Sequence, residues 1–270
     1  MTGLALEALA ADSETEVVVL ISKPPAESVV SQLENALGKL GKPVVACGLG
    51  VPPRVHGRVR WVTTLEDAAE AAAATVRGTA WTPRAFTDQA AVRSKLARLE
   101  ARGERRGAGL LGLYTGGTLA HEARLLLEPL IGRSSFELLD LGADEFTVGR
   151  PHPMLNPEAR AARVREAGRS PAVRVILLDL VLGRGTHADP ARPLCAAIRD
   201  ARAAATADGR ALTVVASVVG TEGDPQGLAG QVAALEAAGA ELLTSNAQAA
   251  RFAALVVRPD LISSLVEGLS

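Results

Sequence analysis

One run of residues constrains this chain more than any other: Val173-Arg174-Val175-Ile176-Leu177-Leu178-Asp179. It is apolar and β-branched almost without interruption, and it ends on an acid. A half-exposed strand would alternate apolar and polar residues, so this run predicts a strand buried on both faces of a parallel sheet. The pattern recurs along the chain. Segments 17–21, 43–47, 110–114, 136–140, 212–218 and 241–244 read as further strands, with a short one near Arg60-Trp61-Val62. Helical patterns fall between them, near residues 26–40, 65–76, 119–130, 157–166, 190–207, 225–238 and 247–256. Strands alternating with helices predict an α/β chain with doubly wound parallel sheets and right-handed crossovers. Composition agrees. Hydrophobic residues make up 48% but aromatics only 3%, so the core is built from Ala, Val and Leu.

Local signals punctuate these elements. Thr64-x-x-Asp67 is an N-capping sequence. Gly41 stands where a helix should end in a left-handed residue. Asp189-Pro190 and Asp224-Pro225 each read as the cap and first residue of a helix. Residues 79–106 lose the apolar rhythm and read as a linker carrying one amphipathic helix, about 88–101; the stretch 100–106 is dense in charge.

Several function classes are excluded at this level. A formal net charge of −1 gives no global pull toward nucleic acid or anionic lipid. The two cysteines, Cys47 and Cys195, lie far apart and outside any CxxC pattern, which predicts buried thiols rather than a disulfide or a zinc site. The amino terminus has no basic stretch followed by an apolar one, and no run approaches the ~20 apolar residues of a membrane span. The expected location is the cytoplasm. No Walker A, GxSxG or HExxH pattern is present, and no cofactor and no metal are expected.

In open parallel sheets ligands bind beyond the carboxyl ends of the strands, and the unusual residues of this chain fall there. Tyr114-Thr115-Gly116-Gly117-Thr118 is a strand, a paired-glycine turn and a helix start, which aims backbone N–H groups at one point. Phosphate, carboxylate or an oxyanion fits such a turn; an unliganded tight turn is the plainer reading. Asp144 to Met154 sets Arg150 and His152 between prolines, a guanidinium for a bidentate anion and an imidazole for proton transfer. An ordered loop capping neighbouring helices is the alternative. Asp179 ends a buried strand, where a carboxylate needs partners, and Gly183 and Gly185 follow it in a loop that holds His187. Thr221 and Glu222 follow the next strand as candidates for contacts with a substrate hydroxyl or amide. Lys23 stands at the end of the first strand, as an anion ligand or a solvated lysine. His121 reads as a surface residue and His56 as a loop histidine.

These runs resemble one family. Residues 113–120 (Leu-Tyr-Thr-Gly-Gly-Thr-Leu-Ala), Asp140-Leu141-Gly142, residues 146–154 (Phe-Thr-Val-Gly-Arg-Pro-His-Pro-Met), residues 179–190, Gly220-Thr221-Glu222 and the Ser22-Lys23-Pro24-Pro25 turn are similar to FdrA-family signatures. The resemblance covers nearly the whole chain, and it is most specific in 146–154. It implies two flavodoxin-like (Rossmann-like) three-layer modules related to succinyl-CoA synthetase. Residues 1–78 resemble an amino-terminally truncated α-subunit ligase module, 79–107 a linker with a helix, and 108–270 the carboxy-terminal module of the β subunit. By the same resemblance the chain is expected to be a carbamoyltransferase subunit, moving a carbamoyl group between a ureide or amide, such as oxalurate or oxamate, and phosphate. Its expected partners are carbamoyl phosphate or phosphate, that small ureide, other protein subunits and further copies of itself. His152, Arg150 and Asp179 are then the catalytic candidates. Thr115, Gly116, Gly117, Thr118, Gly183, Gly185, Thr221, Glu222 and Lys23 are the anion- and substrate-binding ones. The alternatives are an acyl-CoA or acyl-phosphate ligase-like component that needs a partner, or a non-catalytic scaffold subunit. The sequence departs from true synthetases in lacking a Gly-His-Ala-Gly motif and an ATP-grasp domain.

Overall fold

The computed structural model describes residues 2–103 and 109–267 and divides into two compact units, 1–83 and 84–270. The end of the charged run, 104–106, lies outside the described residues.

The first unit runs α1 (Thr2–Ala11), β1 (Val18–Ser22), α2 (Glu27–Gly38), β2 (Val44–Gly48), β3 (Arg54–His56), β4 (Val59–Trp61) and α3 (Leu65–Arg77). Its sheet has the order β1-β2-β4-β3. Alternate residues of β2 point to opposite faces, and both faces are covered. Val44 and Ala46 pack with Leu6, Val30 and Leu37 from α1 and α2, while Val45 and Cys47 pack with Ala68, Ala71 and Ala72 of α3. The α3 start is a complete capping box, in which Thr64 Oγ1 accepts from Asp67 N–H and the Asp67 carboxylate accepts from Thr64 N–H.

Three expectations fail here. β3 pairs antiparallel with β4, so this sheet is not wholly parallel; the three residues of β3 are exposed and leave no apolar signature. β1 is an edge strand, with Val19 and Ile21 exposed at 42% and 50%, rather than a strand buried on both faces. The α2 helix also closes early, at Gly38 with Lys39 as its cap, so Gly41 turns the chain at φ +70° two residues past that cap.

The second unit runs α4 (Gln89–Ala101), β5 (Leu110–Tyr114), α5 (Gly117–Ile131), β6 (Phe136–Asp140), α6 (Asp144–Thr147), α7 (Glu158–Arg169), β7 (Val175–Val181), α8 (Ala191–Ala207), β8 (Thr213–Val219), α9 (Leu228–Ala237), β9 (Ala240–Leu243) and α10 (Asn246–Val257). Its sheet is parallel throughout, in the order β6-β5-β7-β8-β9. Counted within the unit this is 2-1-3-4-5, the flavodoxin-like order. Helices α4, α5 and α10 cover one face and α7, α8 and α9 the other. Small residues set the spacing of the second layer: at Gly168 in α7 an added Cβ would lie 2.6 Å from Ala201 Cβ and 2.7 Å from Ala201 O in α8.

The stretch read as a linker carries the expected helix, α4, and part of it packs into the core. Phe86, Val92, Leu96 and Leu99 are buried against α5 and α10. Lys95 Nζ and Arg98 Nη2 bind Glu241 Oε2 of β9 at 3.2 and 2.7 Å. The apolar rhythm is weak because these charged residues share the helix face with the core residues.

Candidate functional site

The order 2-1-3-4-5 reverses direction between β5 and β7, the switch point at which such sheets bind ligands, beyond the carboxyl ends of their strands. Asp179, fully buried in β7, reaches across it. Its Oδ1 accepts from Thr115 N–H at 2.9 Å, and its Oδ2 accepts from Gly116 N–H at 2.8 Å and Thr115 Oγ1 at 3.0 Å. From the other side Arg160 Nη1 donates to Asp179 Oδ1 at 2.7 Å and to its carbonyl at 2.6 Å. This is the partner set that a buried carboxylate requires. It corrects one expectation: the first two amides of the glycine turn hold the chain's own carboxylate, not an external anion. The next three amides, of Gly117, Thr118 and Leu119, begin α5 and have no partner among the described residues. They carry the positive end of a 15-residue helix.

His152 comes to the same place. Gly142 separates its ring from the turn: an added Cβ at Gly142 would lie 2.5 Å from His152 Nε2 and 2.7 Å from Thr115 O. His152 Nδ1 accepts from Met154 N–H at 3.2 Å, so neutral imidazole carries its proton on Nε2. His187 is tied to this loop by its N–H to Met154 O at 2.8 Å, and its Nδ1 accepts from Asp189 N–H at 3.0 Å.

Arg150 is exposed and lines a cleft of about 280 Å³ between the α6 segment and α7, with Arg160 and Arg163. It makes no hydrogen bond to the glycine turn. Gly183 and Gly185, at φ +142° and +85°, shape the loop after β7. Gln226 pins that loop: its Oε1 accepts from Gly183 N–H at 3.2 Å, and its Nε2 donates to Gly183 O at 2.9 Å and His187 O at 3.1 Å.

Thr221 and Glu222 serve their own segment. Thr221 N–H and Oγ1 donate to Asp224 Oδ2, and Glu222 Oε1 accepts from Ala229 N–H in the first turn of α9. The expected cap at Asp224-Pro225 is therefore a turn closure, and Glu222 does the capping. At α8 the cap position is Pro190, and Gln231 Oε1 accepts from Ala191 N–H in place of Asp189. Lys23 stands exposed at the end of β1 in the smaller unit. His121 is half-buried rather than on the surface, and next to it Glu122 is fully buried. Glu122 Oε2 accepts from Asn246 Nδ2 at 2.7 Å, and Asn246 Oδ1 accepts from Tyr114 Oη at 3.1 Å. Burial, with the Asp179 and Glu122 carboxylates nearby, holds the Tyr114 hydroxyl well above its ordinary pKa.

Arg160 and Gln226 were not legible as site residues. A lone arginine on the Ala161–Val164–Ala167 stripe of α7 was the available signal for the first.

Fold and site together define a flavodoxin-like α/β protein with an acid-locked helix start at its switch point. Residues 113–256 match the CoA-ligase family. The chain belongs to that family. It is 33% identical over 256 residues to the uncharacterized protein YahF of Escherichia coli K12, covering 87% of this chain and 49% of that one. The chain thus spans about half the length of this curated relative. Among solved structures it is similar to a dinucleotide-forming acetyl-coenzyme A synthetase 1 of Ca. Korarchaeum cryptofilum, in complex with phosphate and ADP. That likeness has a TM-score of 0.42 at 15% identity and covers all of this chain and 59% of the other. Similarity to PH0766 from Pyrococcus horikoshii OT3 has a TM-score of 0.40 at 13% identity, over 98% and 56% of the two chains. Scores at this level imply no shared activity. The family match overturns one expectation: it is a family of CoA ligases, and the carbamoyltransferase assignment does not stand. Among the described residues no helix is long and apolar enough to cross a membrane.

Proposed function

We propose that this chain is the ligase-like component of an acyl-CoA- or acyl-phosphate-forming assembly and takes its nucleotide and CoA chemistry from a partner subunit. Within the CoA-ligase family we place it among FdrA-like members, on its Thr115–Thr118 and Gly149–Met154 runs. One observation carries the reading: the amides of Gly117, Thr118 and Leu119 have no partner among the described residues, and the His152 ring lies across Gly142 from the Thr115 carbonyl just before them. An acyl phosphate is an anion with a carbonyl next to its phosphoryl group. The helix start would hold the phosphoryl oxygens, and His152 Nε2 would donate to the oxygen on which charge develops. Asp179 and Arg160 would fix the turn from behind, as positioning residues.

The Asp179 carboxylate favours a second reading, a non-catalytic scaffold, because it already engages the first two donors of the turn. Reconstitution separates the two. The chain is mixed with an ATP-grasp protein, ATP, CoA and short-chain carboxylates, and acyl-CoA and ADP are measured. Acyl-CoA formed only in the mixture, and reduced at least tenfold by His152→Ala, supports the ligase component. Formation unaffected by that substitution, or none with folded proteins, supports the scaffold.

A further inference from the structure

The smaller unit gathers both tryptophans of a chain that has only 3% aromatic residues. Trp61 and Trp81 line a hollow of about 270 Å³ together with Arg54, Arg60, Val55 and Pro53. Each indole has a guanidinium over its ring, Arg54 over Trp61 at 5.2 Å and Arg60 over Trp81 at 6.0 Å. The two pairs are not equivalent. Trp61 is buried and Arg54 is tied to Glu34 at 2.8 Å, so that pair belongs to the fold. Trp81 is half-buried, and its Nε1 donates to Glu70 Oε2 at 3.3 Å. Arg60 is exposed and makes no hydrogen bond or ion pair among the described residues. Its guanidinium sits at the outer limit of a cation–π contact. Val55 lies opposite Arg60 in the β3–β4 pairing, so the two side chains share a face, and Val55 is 62% exposed. β3 is also an edge strand of its sheet.

We infer that this face is a docking surface for a protein partner that presents an extended segment with one aromatic side chain next to an acidic one. The volume sets the kind of occupant. About 270 Å³ falls below the roughly 300–1,000 Å³ of small-molecule sites and suits a single anchoring side chain. Trp and Arg are the residue types enriched where such anchors dock. The charge sets the rest. Arg60 is an open cation, while the lining carboxylate, Asp67, is buried and accepts from Thr64 N–H. Arg60 leaves the Trp81 ring for the partner's acid, which it complements, and the partner's ring takes its place on the indole. The edge strand β3 pairs with the segment's backbone, so that alternate side chains of the segment fall beside Val55.

The test is a titration of the whole chain with a blocked hexapeptide that has one central phenylalanine between two glutamates. Tryptophan fluorescence reads it, since both indoles of the chain line the hollow. Matched peptides carry leucine in place of the phenylalanine, or lysines in place of the glutamates. The expected result is a saturable change in emission, with affinity at least tenfold weaker for either matched peptide. The same loss is expected in Arg60→Gln and in Val55→Glu, two changes at exposed positions. The proposal is overturned by no saturable change in the folded native chain, or by equal affinity for a matched peptide or in either variant. It is also overturned if N-acetylphenylalaninate binds as tightly as the hexapeptide, which would make the hollow a small-molecule site.

Discussion

Asp179 and Arg160 form a buried ion pair, Nη1 to Oδ1 at 2.7 Å, with side-chain exposures of 0% and 2%. The pair does not stand alone, because the same carboxylate holds Thr115 and Gly116. Truncating one partner leaves the other charge buried without compensation, so Asp179→Ala should destabilise the larger unit by about 3–5 kcal/mol. Replacing both by apolar residues of similar volume, Asp179→Leu with Arg160→Met, should be less harmful than the single change. Urea denaturation of the two variants checks both statements; equal losses would contradict them.

Tyr114 is the chain's single tyrosine, so its ionisation can be read without ambiguity. Desolvation, reinforced by Asp179 and Glu122, raises its pKa well above 10.0. The unfolded chain releases this proton near the ordinary value. The linked stability is therefore fully present below pH 10 and is lost as pH rises above it. In an alkaline titration, phenolate absorbance should stay absent past the ordinary value of 10.0 and appear together with loss of the native circular dichroism. A smooth transition near pH 10 in the folded protein would show that the ring is not enclosed.

Gly168→Ala sets helix propensity against packing. The alanine gains roughly 1 kcal/mol as a helix former, but its Cβ meets the Ala201 backbone of α8. Separating two packed helices costs about 1–3 kcal/mol, so the net change should be destabilising. A higher melting temperature in the variant would mean that α7 and α8 pack less closely.

Gly142→Ala bears on the candidate site. The new methyl would occupy the position 2.5 Å from His152 Nε2, and the imidazole has to swing away. The His152 ring signals in a two-dimensional NMR spectrum should shift, and any acyl transfer by the reconstituted assembly should fall at least tenfold. Unchanged ring signals would separate His152 from the turn.

Elements whose patterns are local were legible in the sequence. The strands at 110–114 and 136–140 and the Thr64–Asp67 capping box follow from apolar runs and cap spacing alone, and the structure has them as expected. What depends on tertiary partners was hidden. Nothing in the predicted helix 157–166 marks Arg160 until β7 places Asp179 beside it. Asp189 and Asp224 look like caps by position, but Gln231 and Glu222 reach the helix amides first. The exposed residues of β3 carry no strand signal. The glycine turn was read as able to hold an anion or as a plain tight turn, and the structure shows that Asp179 takes its first two amides.

The most direct test of the account is a titration of the ¹⁵N-labelled chain with acetyl phosphate, followed amide by amide. The account predicts saturable shifts centred on Gly117, Thr118 and Leu119, with the Thr115 and Gly116 amides less affected because Asp179 already holds them. If the protein stays folded and the three helix-start amides do not move, the start of α5 is not an acyl-phosphate site and the ligase-like reading fails.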